Sequence, residues 1–122
     1  MIILKPTQDK NLIKKYYDKE NISFSEFSNL LLATDREEVL GFCLFDIDDV
    51  LTVYKIEPMN DLPLLDGVLR STLHVGCERG KTDAFYTETA PEAIFESLGF
   101  VKNKSERRLD VDKLFKSCCD CK

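Results

Sequence analysis

The chain has 122 residues, of which 43% are hydrophobic and 32% are charged, and its formal net charge is −5 at pH 7. These values predict one soluble globular domain with enough apolar residues to form a core. The negative charge argues against nucleic acid or an anionic membrane as the main partner. No apolar run approaches the roughly 20 residues that a bilayer-spanning helix requires.

The first residues of the chain lack the apolar stretch of a signal peptide, and the cysteines are odd in number. Cys43 and Cys77 lie in apolar surroundings and are predicted to be buried, whereas Cys118, Cys119 and Cys121 crowd the C-terminus. We therefore expect a reducing, cytoplasmic location without a disulfide framework. The three terminal thiols lack both the C-x₂-C spacing and the fourth ligand of a structural zinc site, so no metal site is predicted.

The first part of the chain predicts a strand and a helix. Residues 2–4 form a short apolar run, which we interpret as the first strand. Thr7 then offers an N-cap for a helix over residues 8–19, whose apolar side chains recur on one stripe. Ser23 and Glu26 have the spacing of a capping box, which predicts a short second helical turn.

Three apolar runs follow, at residues 29–34, 39–45 and 50–56, with short polar turns between them. This pattern predicts an antiparallel meander. Because the runs are apolar at both alternating positions, we expect central strands that helices cover on both faces. Gly41, inside the second run, predicts a bulge or a close approach of two backbones.

The second half of the chain is predicted to alternate helices with strands. The order is a helix from Pro63 or Leu64 to Gly80, a strand over 81–86, a helix opened by Pro91 and ended by Gly99, and an extended segment over 100–111. The crossover from the third meander strand to strand 81–86 predicts parallel pairing. The buried face of the first of these helices is predicted to consist of Leu65, Val68, Leu69, Thr72, Leu73 and Cys77. His74 lies on the opposite, polar stripe and is interpreted as a surface residue.

These elements together have the order β-α-(α)-β-β-β-α-β-α-β. We predict an α/β (α+β) fold with a mixed central sheet and helices on both faces. Residues 1–117 would form this single domain, and residues 118–122 a Cys-rich C-terminal tail.

Two motifs connect this layout with a known family. IEP precedes a helix that contains DGVLRSTL, and PEAIFESLGF follows near the C-terminus. On these motifs, nearly the whole chain resembles the GNAT superfamily of acyl-CoA-dependent N-acyltransferases. The resemblance implies a fold whose fourth strand hydrogen-bonds the pantetheine arm of acetyl-CoA, or another acyl-CoA, as co-substrate. It also implies that the protein transfers an acetyl or acyl group to a second substrate, which is a small amine or a peptide amine.

The resemblance places a site where the strand over residues 50–56 ends and the next helix begins. Glu57 is the candidate general base, and Tyr86 is the candidate acid, because the helix before LGF carries no tyrosine. Tyr54 and Tyr86 are expected on neighbouring strands, where either hydroxyl could line an acceptor pocket. The candidate cofactor-binding residues are Tyr54, Ile56, Pro58, Leu65, Asp66, Gly67 and Val68.

Residues 60–66 read Asn, Asp, Leu, Pro, Leu, Leu and Asp where the family keeps the glycines of its pyrophosphate loop. Pro63 has no N–H to donate, and Asp61 or Asp66 could bind the free N–H groups of the helix instead. Two other functions therefore stay open. One is a catalytically silent GNAT-like module that binds a partner or another ligand in the same groove. The other is thiol or metal handling through the Cys-rich tail. Whether the protein forms a homodimer also stays open.

Overall fold

A computed structural model describes residues 1–114 of the chain. Its strands and helices are β1 (Ile3–Pro6), α1 (Lys10–Lys19), β2 (Ser28–Asp35), β3 (Glu38–Ile47), β4 (Leu51–Glu57), α2 (Leu62–Glu78), β5 (Ala84–Tyr86), α3 (Glu92–Ser97), β6 (Val101–Asn103) and β7 (Arg108–Leu109). The predicted tail at 118–122 and the last residues of the predicted domain lie outside the described part. Within that part, none of the helices combines the length and the apolar character that crossing a bilayer requires.

The strands form one seven-stranded mixed sheet in the order β1-β2-β3-β4-β5-β7-β6. Strands β1 to β4 are antiparallel neighbours, which confirms the predicted meander, and β5 pairs in parallel with β4 as the crossover predicted. The free edges of the described sheet are therefore β1 and β6, and not the meander strands. With α1 on one face and α2 on the other, the predicted fold class is confirmed.

The last extended segment was predicted as one run, and this is wrong. The chain reverses between β6 and β7, so that β7 lies between β5 and β6 and is antiparallel to both. The reversal is a tight turn in which Arg107 has a φ of 54° and its N–H donates to the carbonyl of Lys104 at 3.2 Å.

Helix α1 begins later than predicted because Asp9, and not Thr7, is its N-cap. The Asp9 carboxylate accepts hydrogen bonds from the backbone N–H groups of Asn11 and Leu12 at 3.0 and 3.2 Å. The Thr7 hydroxyl instead accepts from the N–H of Asp9. An ionised cap at this position also suits the positive end of the helix dipole.

The second helical turn predicted at Ser23 and Glu26 is also wrong. Residues 20–27 contain turns without a helix, and the Ser25 N–H donates to the Ser28 hydroxyl at 2.9 Å. Ser side chains bind nearby backbone groups in this way, and such local bonds compete with a helix.

Two boundaries in the second half differ from the prediction. Strand β5 omits residues 81–83, because the Lys81 N–H turns back to the carbonyl of Gly76 at 2.8 Å and completes the end of α2. Pro91 is the N-cap of α3 and not its first residue. Gly99 follows α3 with a φ of 79°, which confirms it as the stop of this helix.

The larger core lies between the sheet and α2. The side of α2 that faces the sheet is apolar and fully buried at Leu65, Val68, Leu69 and Leu73. This confirms the predicted face, except that Cys77 is only half-buried whereas Cys43 is fully buried. The opposite face has a smaller core, in which Ile13 and Tyr17 of α1 pack on Leu30 and Leu44.

Strand β3 and the end of β4 approach each other closely at Gly41. A Cβ atom on Gly41 would lie 2.5 Å from the carbonyl oxygen of Glu57 and 2.8 Å from Cδ of Pro58. The register of β2 and β3 also shifts next to this glycine, between Ala33 and Thr34. Both features confirm the interpretation of Gly41, and they position the end of β4 where the candidate site begins.

Candidate functional site

Strands β4 and β5 pair briefly and then separate. Their parallel pairing ends at Val53 and Tyr86, and the Thr87 N–H donates to the carbonyl of Val53 at 3.0 Å. Beyond this point β4 continues to its end, while the chain after β5 turns into α3. We call residues 54–57 and 87–91 the β4–β5 opening. It lies at the carboxyl ends of two parallel strands, where α/β sheets usually bind ligands.

A bulge in β4 coincides with the start of this opening. On the side of β3, Phe45 pairs with Val53 and Leu44 pairs with Lys55, so Tyr54 is an extra residue in β4. A bulge of this kind bends its strand and increases the local twist. The bulge therefore turns the end of β4 away from the line of β5.

Two threonines bridge the β4–β5 opening. The Thr89 hydroxyl donates to the carbonyl of Tyr54 at 2.8 Å and lies 2.6 Å from the Thr87 hydroxyl. A carbonyl can only accept, and Thr89 has one hydroxyl proton, so Thr87 must be the donor to Thr89. Sequence reasoning missed both residues; the available signal was the turn-forming TETAP segment between a strand and a helix.

The Tyr54 side chain is anchored on the α1 face. Its hydroxyl donates to Oδ2 of Asp46 at 3.0 Å, and the Tyr17 hydroxyl lies 3.1 Å from Oδ1 of the same carboxylate. Burial, followed by the hydrogen bond to Asp46, raises the pKa of Tyr54 to about 12. Burial and the charge of Asp46 also raise the pKa of Tyr17 far above its ordinary value. Asp46 falls in the polar turn predicted between residues 45 and 50, but it is a strand residue whose carboxylate holds Tyr54 at the bulge.

The Tyr86 hydroxyl faces α3. It donates to Oε2 of Glu92 at 2.6 Å, and its ring packs edge-on against Phe95 with the ring centroids 5.6 Å apart. Burial, followed by the hydrogen bond to Glu92, raises the pKa of Tyr86 to about 12. An acid role for Tyr86 therefore requires that this hydrogen bond first break.

The Glu57 carboxylate is half-buried at the end of β4. It accepts a hydrogen bond from the Met59 N–H at 3.3 Å and lies 3.5 Å from Nζ of Lys55. The same ammonium group is 3.7 Å from Glu20 at the end of α1. These contacts leave Glu57 within reach of solvent and beside a cation that it shares with a second carboxylate.

The two candidate catalytic residues lie on opposite faces of the sheet. Glu57 stands directly across from Phe42, which packs in the core of the α1 face. Tyr86 stands across from Val53, which belongs to the core of the α2 face. Strands β4 and β5 are neighbours, as predicted, but Tyr54 and Tyr86 likewise point to different faces and do not line one pocket.

Four predicted cofactor-binding residues lie inside α2 and not in a loop before it, because α2 begins at Leu62. They are Leu65, Asp66, Gly67 and Val68. The side chains of Leu65 and Val68 are fully buried, and a Cβ on Gly67 would contact Leu4 at 3.5 Å. The side chain of Ile56 is also fully buried in the core and does not face a ligand. Pro58 is half-buried next to Glu57.

The N-terminus of α2 is capped by its own sequence. Oδ1 of Asp61 accepts from the Leu64 N–H at 3.2 Å, the Asp61 carbonyl accepts from the Leu65 N–H at 2.9 Å, and Pro63 has no N–H. This confirms the expectation that an aspartate binds the free N–H groups of the helix. Asp66 does not take part, because its carboxylate accepts from Nε of Arg70 at 2.9 Å.

A cavity of about 270 Å³ lies at the opposite end of the sheet, near the end of α2. Its lining includes Asn29 and Arg79, and Nη1 of Arg79 donates to Oδ1 of Asn29 at 3.3 Å. Lys10 and Glu26 also line it. None of the predicted site residues lies in this cavity.

His74 is an exposed residue of α2 whose Nδ1 lies 3.7 Å from the Glu78 carboxylate, as its place on the polar stripe predicted. In residues 1–114, no group of three or more His, Cys, Asp or Glu side chains is placed to hold a metal ion.

No protein-family model matches the sequence, and a comparison with curated proteins finds no similar sequence. Among solved structures, the chain is similar to a crystal structure from Desulfovibrio desulfuricans described as "a putative acetyltransferase of the GNAT family". The TM-score is 0.54 at 14% sequence identity, over 81% of this chain and 83% of that chain. At this identity the similarity concerns the fold alone. The fold is GNAT-like in a divergent form, which confirms the architecture that the sequence motifs implied.

Proposed function

We propose that this protein is a GNAT-type N-acyltransferase, which transfers an acetyl or acyl group from acyl-CoA to a small amine or peptide amine. The observation that supports this proposal is the β4–β5 opening, with a bulge at Tyr54 and the first turn of α2 beyond it. An extended arm with amide groups can add to an open strand edge through backbone hydrogen bonds. The pantetheine arm of an acyl-CoA has this form.

The chemistry is a direct displacement. The amine nitrogen attacks the thioester carbonyl, the C–N bond forms as the C–S bond breaks, and CoA leaves as a thiolate. Backbone N–H groups at the end of β4 polarise the carbonyl. Glu57, directly or through a water molecule, takes the proton from the amine.

Tyr86 is the weaker of the two catalytic candidates. Its pKa of about 12 lies well above the value near 8.5 that is usual for a thiol, so proton transfer from Tyr86 to the thiolate is uphill. We therefore expect Glu57→Gln to lower kcat at least a hundredfold, as loss of a general base does, and Tyr86→Phe to lower it less than tenfold. Steady-state thiol release measures both values, and a larger loss in Tyr86→Phe would reverse the two roles.

A catalytically silent GNAT-like module is the second candidate. Two contacts favour it: the Thr89 hydroxyl occupies the carbonyl of Tyr54, and the Asp61 carboxylate occupies the Leu64 N–H at the start of α2. Such a module would bind a ligand in the same opening without transferring an acyl group.

The two functions separate in one set of measurements. Thermal unfolding is followed with acetyl-CoA at millimolar concentration, and thiol release is followed with a panel of small amines and peptides. A ligand at 100 times its Kd adds about 2.7 kcal/mol of stability. Stabilisation with thiol release supports the enzyme, and stabilisation without release over the whole panel supports the silent module. No stabilisation by acetyl-CoA or by longer acyl-CoAs would overturn the enzyme proposal.

The site is located by a pair of matched variants. Thr89→Val frees the carbonyl of Tyr54 for an amide of the ligand, and a neutral hydrogen bond contributes about 1 kcal/mol. We expect acyl-CoA to bind about two- to tenfold more tightly to this variant. Thr82→Val, at an exposed position before β5, is the control and should leave the Kd unchanged. Equal effects in the two variants would show that the ligand binds elsewhere.

A further inference from the structure

The first turn of α2 has little to offer to a pyrophosphate. A helix N-terminus binds phosphate through backbone N–H groups that have no other partner. Here the Leu64 N–H already donates to the Asp61 carboxylate, the Leu65 N–H makes the first helical hydrogen bond to the Asp61 carbonyl, and Pro63 lacks an N–H. The same Asp61 carboxylate lies where a phosphate would have to sit. To bind at this turn, a nucleotide pyrophosphate would therefore have to displace the Asp61 carboxylate, which is part of the chain itself.

Within residues 1–114, the cations of Arg70 and Lys55 near this turn are already paired with carboxylates and do not replace the missing donors. Arg70 is bound to Asp66 and lies with its guanidinium carbon 5.1 Å from the centroid of the Phe100 ring. Lys55 lies between two carboxylates, those of Glu57 and Glu20. The carboxylates of Glu20, Glu57, Asp61 and Asp66 thus outnumber the cations of Lys55 and Arg70, and the local field opposes a second anion.

The β4–β5 opening, in contrast, favours a ligand with hydrogen-bond donors over an anion. Two groups that β4 presents towards β5 at the start of this opening are carbonyl oxygens: that of Val53 accepts from the Thr87 N–H, and that of Tyr54 accepts from the Thr89 hydroxyl. A carbonyl cannot bond to a phosphate oxygen, because both atoms only accept. An amide N–H can replace the hydroxyl of Thr89, which is exposed.

From these contacts we infer that the acyl donor is recognised through its uncharged pantetheine arm and thioester, while the pyrophosphate of a CoA donor stays in solvent. The substrate class is therefore pantetheine thioesters, with or without a nucleotide. This inference rests on the proposed N-acyltransferase function and narrows its donor.

The test compares acetyl-CoA with S-acetylpantetheine by titration calorimetry on the full chain. We expect Kd values within about threefold of each other. We also expect the affinity for acetyl-CoA to change less than about twofold between low and high salt, because a bound pyrophosphate would make it fall with salt. An acetyl-CoA affinity more than tenfold above that of S-acetylpantetheine, lost at high salt, would overturn the inference and leave the proposed function standing. If neither thioester binds, the proposed function itself fails.

A variant without the Asp61 charge tests whether this carboxylate prevents the pyrophosphate from binding. Asp61→Asn keeps a good N-cap residue, so α2 should remain folded, which circular dichroism verifies. It removes one negative charge from the start of α2, and we expect acetyl-CoA to bind at least twofold more tightly while S-acetylpantetheine is unchanged. Asp9→Asn, the same change at the N-cap of α1, is the matched control and should affect neither ligand. An unchanged acetyl-CoA affinity in Asp61→Asn would overturn the role assigned to this carboxylate.

Discussion

The two faces of the sheet are built in different ways. Against α2, the sheet buries an extended apolar core that includes Leu69 and Leu73. Against α1, a smaller core includes the Tyr17 hydroxyl, which lies 2.8 Å from the carbonyl of Phe45 and 3.1 Å from Asp46. Asp46 also holds Tyr54, the extra residue of the β4 bulge.

The α2 face therefore contributes mainly to the stability of the fold, and the α1 face mainly to the position of β4. Apolar burial is strong but has no preferred direction, whereas a hydrogen bond holds only in a narrow range of distance and angle. The α2 face can therefore provide most of the folding free energy without specifying the course of β4. The α1 face provides less area, but its polar contacts determine where β4 bends away from β5.

The largest expected effect is on the α2 face. Leu69 is fully buried, and Leu69→Ala should lower the free energy of unfolding by about 2–5 kcal/mol. Leu62→Ala is the control, because Leu62 in the same helix is 43% exposed, and it should cost less than about 1 kcal/mol. Urea unfolding measures both. A change below about 0.5 kcal/mol in Leu69→Ala would contradict the assigned face of α2.

A smaller effect is expected on the α1 face. Tyr17→Phe keeps the ring but removes the hydroxyl that contacts Phe45 and Asp46, and leaving such buried groups unpaired costs about 1–3 kcal/mol. Tyr16→Phe is the matched control: in residues 1–114 the Tyr16 hydroxyl makes no hydrogen bond, so its removal should cost at most about 0.5 kcal/mol. Equal losses in urea unfolding would show that the polar cluster does not hold this face.

The smallest expected effect is on the loss of folding stability at alkaline pH, which can be measured for each face of the sheet. Tyr54 and Tyr86 lie on different faces, and the folded protein raises the pKa of each to about 12, against a usual value of about 10. Between these values the unfolded chain has lost the protons that the folded chain still binds, so stability present below pH 10 is lost as pH rises towards 12. Tyr54→Phe and Tyr86→Phe should each flatten this loss, measured by unfolding at pH 9 and pH 11. A slope that neither variant changes would contradict both shifts.

The sequence predicted the helices and strands well, but it did not predict how the strands of the C-terminal part are connected. Local signals identified the meander, the buried face of α2 and the stop at Gly99, because side-chain period and backbone preference act over a few residues. The prediction of one final extended run was wrong because it did not recognise the turn at residues 104–107, which separates β6 from β7. Only the pairing of β7 with β5 shows that the chain reverses at Arg107.

For the candidate site, the sequence by itself determined which residues follow β4 and that an aspartate and a proline, and not glycines, stand at the start of α2. The tertiary structure alone decided that β4 separates from β5 at Tyr54, that Thr89 reaches the carbonyl there, and that Glu57 and Tyr86 face opposite sides of the sheet. The reason is register. The side-chain period in a strand is two, so the face that a residue occupies depends on a bulge and on partners tens of residues away, which no local pattern specifies.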